Sequence, residues 1–207
     1  MPEKVTVPRI RSLRDRREKI VCITAYDYVS GAIADAADVD LILVGDSVGN
    51  VVLGYESTLP VTLEEMLHHL KSVRRGVRRA LLVADMPFGS YGGSVAQAVD
   101  SACLLMKAGA EAVKLEGSYP EEVEAMVKAG IPVMGHVGMT PQSVNNFGGH
   151  RVQGKGEAGD QVLAAALAVA EAGAFSVVLE LVPAALAARI TEQLPVATIG
   201  IGAGAGC

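Results

Sequence analysis

Seven short runs that are apolar at nearly every position recur along this chain, at 20–25, 41–45, 80–85, 111–116, 131–136, 175–180 and 196–200, each closing on a polar residue or a glycine. A strand with one wet face alternates apolar and polar side chains. A strand that is apolar throughout has both faces covered, which is the condition of a parallel strand packed between layers. Parallel neighbours cannot be joined by a tight turn and need a helical crossover. The intervening segments supply one, the Ala- and Leu-rich stretches 94–107 and 159–171 being the clearest. Ala108-Gly109-Ala110, Ala129-Gly130-Ile131 and Ala172-Gly173-Ala174 each put a glycine where a helix should stop, directly before the next strand. The repeating unit is βα.

Such a repeat closes into an eight-stranded barrel or opens into a doubly wound sheet. Asp46, Asp85, Glu116, His136 and Glu180 stand at or just after the C-terminal ends of five consecutive strands, and five sets of polar ends converge most easily in a ring. The expected fold is therefore α/β, a (βα)8 TIM barrel, with an N-terminal helix around 8–18 capping its bottom. With 207 residues, 50% of them hydrophobic and 20% charged, one barrel domain spanning 1–207 accounts for the chain and leaves no room for a second.

A net charge of -5 offers no basic field for phosphate backbones, so nucleic acid is not an expected partner. The mixed-charge stretch 11–19 reads as a solvated amphipathic helix. No apolar run reaches the ~18 residues of a membrane span, and the N-terminus is charged where a secretion signal is apolar; a cytoplasmic protein with no membrane partner is expected. Cys22, Cys103 and Cys207 lie too far apart to suggest a disulfide framework or a thiolate metal site.

Three neighbouring strands deliver Asp46, Asp85 and Glu116 to one spot, and strands lie about 4.8 Å apart. Three carboxylates so close call for a cation, and an all-oxygen set points to Mg²⁺ or a similar hard divalent ion. The competing reading is that Asp46 and Asp85 cap turns. Lys114 and Glu116 are two residues apart in one strand and share a face, while Val113 and Leu115 share the other. With the apolar pair toward the helices, Lys114 and Glu116 point into the barrel, as parts of a site or as a structural ion pair. Glu180 follows Val177-Val178-Leu179 and is the best general-base candidate, against the alternative of a polar group bonded to a loop. His136 in Gly135-His136-Val137-Gly138 is a candidate catalyst or a hydrogen-bonded structural residue. The polar, Gly-rich stretch 140–156 that follows is long for a βα connection and is expected to act as a lid. Two tempting signals fail on context: Gly200-Ile201-Gly202-Ala203-Gly204 does not follow a first strand as a dinucleotide loop should, and His68-His69, adjacent on a helix, point apart.

Beyond these readings, Thr24-Ala25-Tyr26-Asp27, Val44-Gly45-Asp46-Ser47, Ser57-Thr58-Leu59-Pro60-Val61-Thr62, Ala84-Asp85-Met86-Pro87-Phe88, Val113-Lys114-Leu115-Glu116-Gly117 and Gly135-His136-Val137-Gly138-Met139-Thr140-Pro141-Gln142-Ser143 resemble the ketopantoate hydroxymethyltransferases in order and spacing. The likeness runs on through Phe147-Gly148-Gly149, Glu157-Ala158-Gly159-Asp160 and Leu179-Glu180-Leu181-Val182-Pro183 to Ile199-Gly200-Ile201-Gly202. It implies a transferase that adds a hydroxymethyl group from 5,10-methylenetetrahydrofolate to 3-methyl-2-oxobutanoate through a Mg²⁺-stabilised enolate, in pantothenate and coenzyme A biosynthesis. It further implies Asp46, Asp85 and Glu116 as the metal site, Asp46, Ser47, Asp85 and Lys114 as oxoacid-binding residues, and Glu180 as proton acceptor with His136 beside it. A homo-oligomer, commonly a decamer, belongs to the same implication.

Members of the family usually continue for several tens of residues past the glycine-rich segment where this sequence ends. An eighth strand and the last helices are accordingly expected to be missing, with the first and seventh strands facing each other across a gap. The enzymatic alternative is an oxoacid lyase of the isocitrate lyase and phosphoenolpyruvate mutase kind, which a cysteine in a mobile loop would favour. The non-enzymatic alternative is an inactive, truncated fragment.

Overall fold

A computed structural model describes residues 3–207. In chain order the elements are α1 (Val7–Asp15), β1 (Cys22–Thr24), α2 (Tyr28–Ala36), β2 (Leu41–Val44), α3 (Val48–Val51), α4 (Leu63–Gly76), β3 (Leu81–Asp85), α5 (Val95–Lys107), β4 (Ala112–Lys114), α6 (Pro120–Lys128), β5 (Val133–Gly138), a 3₁₀ turn (Pro141–Ser143), α7 (Val144–Phe147), α8 (Ala158–Glu171), β6 (Ser176–Glu180), α9 (Ala184–Gln193) and β7 (Ala197–Ile201). Every strand falls inside one of the seven apolar runs or overlaps it closely. All pairings are parallel and follow sequence order from β1 to β7.

Local chemistry sets the helix ends. Asp27 with Ser30 and Thr62 with Glu65 form reciprocal capping boxes at the starts of α2 and α4, each satisfying backbone N–H groups that a first turn leaves open. The glycine stops operate as expected: Gly109, Gly130 and Gly173 take φ of 111°, 84° and 107°, a region that costs a residue with a Cβ about 1–2 kcal/mol. The N-terminal helix ends at Asp15, three residues sooner than its amphipathic pattern, because Arg17 enters the left-handed region at φ 57°. Glu18 N–H then closes onto Leu13 O at 2.9 Å and Arg17 N–H onto Arg14 O at 2.9 Å, the paired bonds of a Schellman stop.

The strands divide two cores by their pleat. One set of side chains, among them Leu41, Leu81, Val83, Ala112, Met134, Val178 and Ala197, fills the barrel interior with Ile10 and Leu13 of α1, so the first helix plugs the bottom. The other set faces the helices: Val113 and Leu115 pack with Leu105 of α5 and Val123 and Met126 of α6. That alternation turns Lys114 and Glu116 inward, above the apolar plug.

The ring is not closed. Among the described residues β1 pairs only with β2 and β7 only with β6, leaving a cleft of about 810 Å³ lined by Ile20, Val21 and Cys22 on one side and by Ala197, Ile199 and Gly200 on the other. This is the gap expected of seven strands laid on an eight-strand curvature, since closing seven would need a different tilt and shear.

Candidate active site

Asp85 is the last residue of β3 and Lys114 the last of β4, and the register makes them partners across the ladder. Lys114 Nζ lies 2.7 Å from Asp85 Oδ1 and 3.9 Å from Glu116 Oε1. The nearest anion is thus the cross-strand one, because a direct partner is closer than a residue two positions along the same strand. Burial opposes a charge on Lys114, but Asp85, Glu116 and Asp46 together outweigh it and hold the amine above the usual lysine range. It is an ammonium.

Asp46 follows β2. Its backbone N–H donates to Asp85 Oδ2 at 3.0 Å, and its Oδ2 accepts from the Gln142 side-chain amide at 2.7 Å. Burial, reinforced by the carboxylates of Asp85 and Glu116, pushes its pKa from 3.8 up to about 8. Burial likewise pushes Asp85 upward against the pull of Lys114. Glu116 goes the other way: burial opposes its charge, but His136, Lys114 and the Gln142 N–H, 2.9 Å from Oε2, hold it below the usual carboxylate range.

His136 bridges the interior to the mouth. Its Nδ1 lies 3.2 Å from Lys114 Nζ and 3.5 Å from Glu116 Oε1, and its Nε2 lies 3.3 Å from Glu180 Oε2. Burial and the ammonium oppose its protonation, while Glu116 and Glu180 favour it and win, so its pKa lies above the ordinary value. When neutral, its Nδ1 lone pair accepts from Lys114 and the remaining proton sits on Nε2, toward Glu180. The Glu180 side chain retains 19% exposure, so the apolar approach along β6 buries it only in part and leaves it at the mouth. Ser47 Oγ, at the same rim, is hydrogen-bonded to Tyr26 OH at 2.7 Å.

The fold thus brings Asp46, Asp85, Lys114, Glu116, His136 and Glu180 into one connected cluster, with Ser47 adjoining Asp46 in the chain. Its interior holds three buried carboxylates against one permanent cation, and the raised Asp46 pKa expresses that deficit. The oxygen donors and the missing positive charge fit a hard divalent ion. Among the described residues no three His, Cys, Asp or Glu side chains gather closely enough to hold one ion; Asp46 and Asp85 are the adjacent pair, while both oxygens of Glu116 are turned to Gln142 and His136.

Three contributors carried no functional signal in the sequence. Gln142 belongs to a motif of the resemblance, yet nothing in an amide after Pro141 marks it as a partner of Asp46. Tyr91 donates to Gln142 Oε1 at 2.5 Å and accepts from Glu116 N–H at 3.1 Å from within a glycine-rich stretch. Tyr26, behind Ser47, has its carbonyl bonded to His69 Nδ1 at 2.7 Å, which gives that histidine a structural task. The segment 140–156 opens with the 3₁₀ turn and α7, and the turn lies against the cluster through Gln142.

The profile of the ketopantoate hydroxymethyltransferase family matches residues 4–207. The chain is 56% identical over 208 residues to a 3-methyl-2-oxobutanoate hydroxymethyltransferase of Syntrophus aciditrophicus, covering 99% of this chain and 76% of that protein. It is 57% identical over 208 residues to the protein of the same name from Moorella thermoacetica, covering 99% and 77%. Among solved structures, a phosphoenolpyruvate phosphomutase from Streptomyces platensis subsp. rosaceus superposes with a TM-score of 0.71 at 17% identity, covering 94% of this chain and 72% of that one. A phosphonopyruvate hydrolase in complex with oxalate and Mg²⁺ does so with a TM-score of 0.66 at 14% identity, covering 94% and 80%. At such identities the structural likeness speaks for the barrel alone.

Proposed function

Since the chain belongs to the ketopantoate hydroxymethyltransferase family, enzymes that transfer a one-carbon group, we propose that it hydroxymethylates 3-methyl-2-oxobutanoate at C3, taking the carbon from 5,10-methylenetetrahydrofolate, on the route to pantothenate and coenzyme A. The observation that carries this reading is the line from Lys114 through His136 to Glu180, which sets a fixed cation beneath the site and an open carboxylate at its rim. A 2-oxoacid offers an anionic carboxylate to the first and a C–H to the second.

Lys114 and the Ser47 hydroxyl hold the substrate carboxylate, and this orientation puts C3 beside Glu180. Glu180 takes the C3 proton, its partly solvated position at the mouth leaving the carboxylate reachable by substrate. His136, its Nε2 3.3 Å from Glu180 Oε2, turns its Nε2 proton toward that carboxylate while Nδ1 accepts from Lys114, and so orients the base and stabilises its charge. Asp46 and Asp85 would hold Mg²⁺, with Glu116 beside them. When bound, that ion supplies a Lewis acid that draws charge from the substrate keto oxygen. One water hydrolyses the two C–N bonds of the 5,10-methylene bridge, releasing tetrahydrofolate and the carbon as a formaldehyde equivalent. The deprotonated C3 attacks that carbon, its C=O π bond opens to the new hydroxyl oxygen, and that oxygen takes the proton Glu180 removed.

Proton exchange tests this without folate. With Mg²⁺ and the oxoacid in D₂O, the parent chain is expected to lose the C3 proton signal, and Glu180→Gln to slow that loss by roughly two to four orders of magnitude while oxoacid affinity holds. Exchange by the variant at the parental rate would remove Glu180 from the chemistry and leave His136 as the base.

A further inference from the structure

Gln142 is buried, 96 residues from Asp46 and 51 from Tyr91 in sequence, yet it touches both and engages both hydrogens and the oxygen of its side-chain amide. Nε2 donates one hydrogen to Asp46 Oδ2 at 2.7 Å and the other to Met86 O at 3.0 Å, while Oε1 accepts from Tyr91 OH at 2.5 Å. A flipped amide would place Oε1 against two acceptors, so its orientation is determined. The backbone N–H of the same residue donates to Glu116 Oε2 at 2.9 Å. Tyr91 completes the frame: its OH also accepts from Glu116 N–H at 3.1 Å, and its ring stacks edge-on against Tyr119 at 5.3 Å. One residue at the root of the segment after β5 therefore grips two of the three carboxylates.

We infer that Gln142, anchored by Tyr91, is a positioning residue: it holds one oxygen of Asp46 and leaves the other without a hydrogen bond among the described residues, next to Asp85, and it holds Glu116 back from that pair. This deepens the functional reading given above and rests on it, because it assumes that the Asp46–Asp85 pair receives a divalent ion. Asp46 Oδ2 is bonded to Gln142, whereas Oδ1 takes no hydrogen bond among the described residues, which is the arrangement a ligand oxygen needs. Without the amide, the Asp46 carboxylate is free to rotate toward Lys114 and neutralise itself there. The role is distinct from contact with substrate.

Direct titration of Mg²⁺ by calorimetry, with C3 exchange in D₂O as second readout, tests it on the parent, Gln142→Met, Tyr91→Phe and the double variant. Loss of a group that orients a metal ligand typically costs about 10- to 100-fold in metal affinity, and that weakening is expected for Gln142→Met. Exchange at saturating Mg²⁺ should return to within about fivefold of the parent, since a positioning defect is overcome by occupancy. Tyr91→Phe keeps the ring and should weaken Mg²⁺ less. The double variant should be no worse than Gln142→Met, because Tyr91 acts through Gln142 and the effects then fail to add. A merely structural role would lower the melting temperature of the variants with Mg²⁺ affinity unchanged, and that outcome overturns the inference; so does full additivity. A parent that neither binds Mg²⁺ nor exchanges C3 overturns the functional reading, and this inference with it. A parent that does both, with variants that bind Mg²⁺ as tightly, overturns the positioning role alone.

Discussion

Asp46→Asn is expected to make the metal-free protein more stable at pH 8 while depriving it of its response to Mg²⁺. In the folded chain burial, Asp85 and Glu116 raise the Asp46 pKa from 3.8 to about 8. Across that window the folded state keeps a proton that the unfolded chain has released. A carboxyl whose folded pKa is raised contributes stability that is fully present below the unfolded value and is lost as pH climbs through the folded one. The slope is about 1.4 kcal/mol per pH unit, so the whole rise sets a ceiling of roughly 6 kcal/mol. Relaxation of neighbours and entry of water reduce the loss expected at pH 8 to about 2–3 kcal/mol. Asparagine is neutral, matches the carboxylate in shape and still accepts from Gln142, so it should recover that loss. Urea unfolding of parent and variant in chelator at pH 5, 6.5 and 8 isolates this one group by difference: the gap between them should be smallest at pH 5, which already lies above the unfolded value of 3.8, and widen toward pH 8. Added Mg²⁺ should close it by stabilising the parent alone. A gap independent of pH, or a variant less stable than the parent at pH 8, would refute the charge deficit assigned to the site.

Two other perturbations probe the frame around it. Gly138 ends β5 at φ 96°, and a Cβ there would stand 2.3 Å from Glu180 O and 2.7 Å from Val182 Cγ1, so Gly138→Ala should cost about 2–4 kcal/mol through the left-handed backbone and the overpacking together and slow C3 exchange by displacing the end of β6; unchanged unfolding and exchange would show that the strand end yields freely. Leu13→Ala, at the bottom plug, should cost about 2–5 kcal/mol in unfolding free energy with oxoacid affinity intact, and a loss of oxoacid affinity would mean that the plug sets the mouth as well as supporting the interior.

The strands were legible because a side chain's face follows from its position alone. Runs such as 81–85 and 175–180 are apolar on both faces, and only a covered parallel strand satisfies that. The polar residues that close the runs were legible as a site for the same reason, all parallel strands ending at one rim. What escaped was every partnership across that rim. Lys114 and Glu116, two apart in sequence, suggested each other, but Lys114 sits against Asp85 at 2.7 Å and Glu116 stands 3.9 Å off, a choice made by the β3–β4 register. Gln142 and Tyr91 were silent because an amide and a phenol gain their meaning from what they touch.

By itself, then, the sequence determined the period of the elements, the inward and outward faces, the stops at Gly109, Gly130 and Gly173, and the set of ionisable residues at the strand ends, since each depends on backbone geometry within a few residues. The tertiary structure alone decided which carboxylate Lys114 neutralises, which nitrogen of His136 faces Glu180, how far Glu180 stays in water, and that Gln142 links Asp46 to Glu116. Those are distances between residues up to 96 positions apart, and they exist only after the strands have curved far enough to bring β2 through β6 around one axis. The cleft between β1 and β7 was expected from the family likeness, but its extent was decided by the same curvature, because the angle through which seven strands turn is a property of their packing and not of any one run.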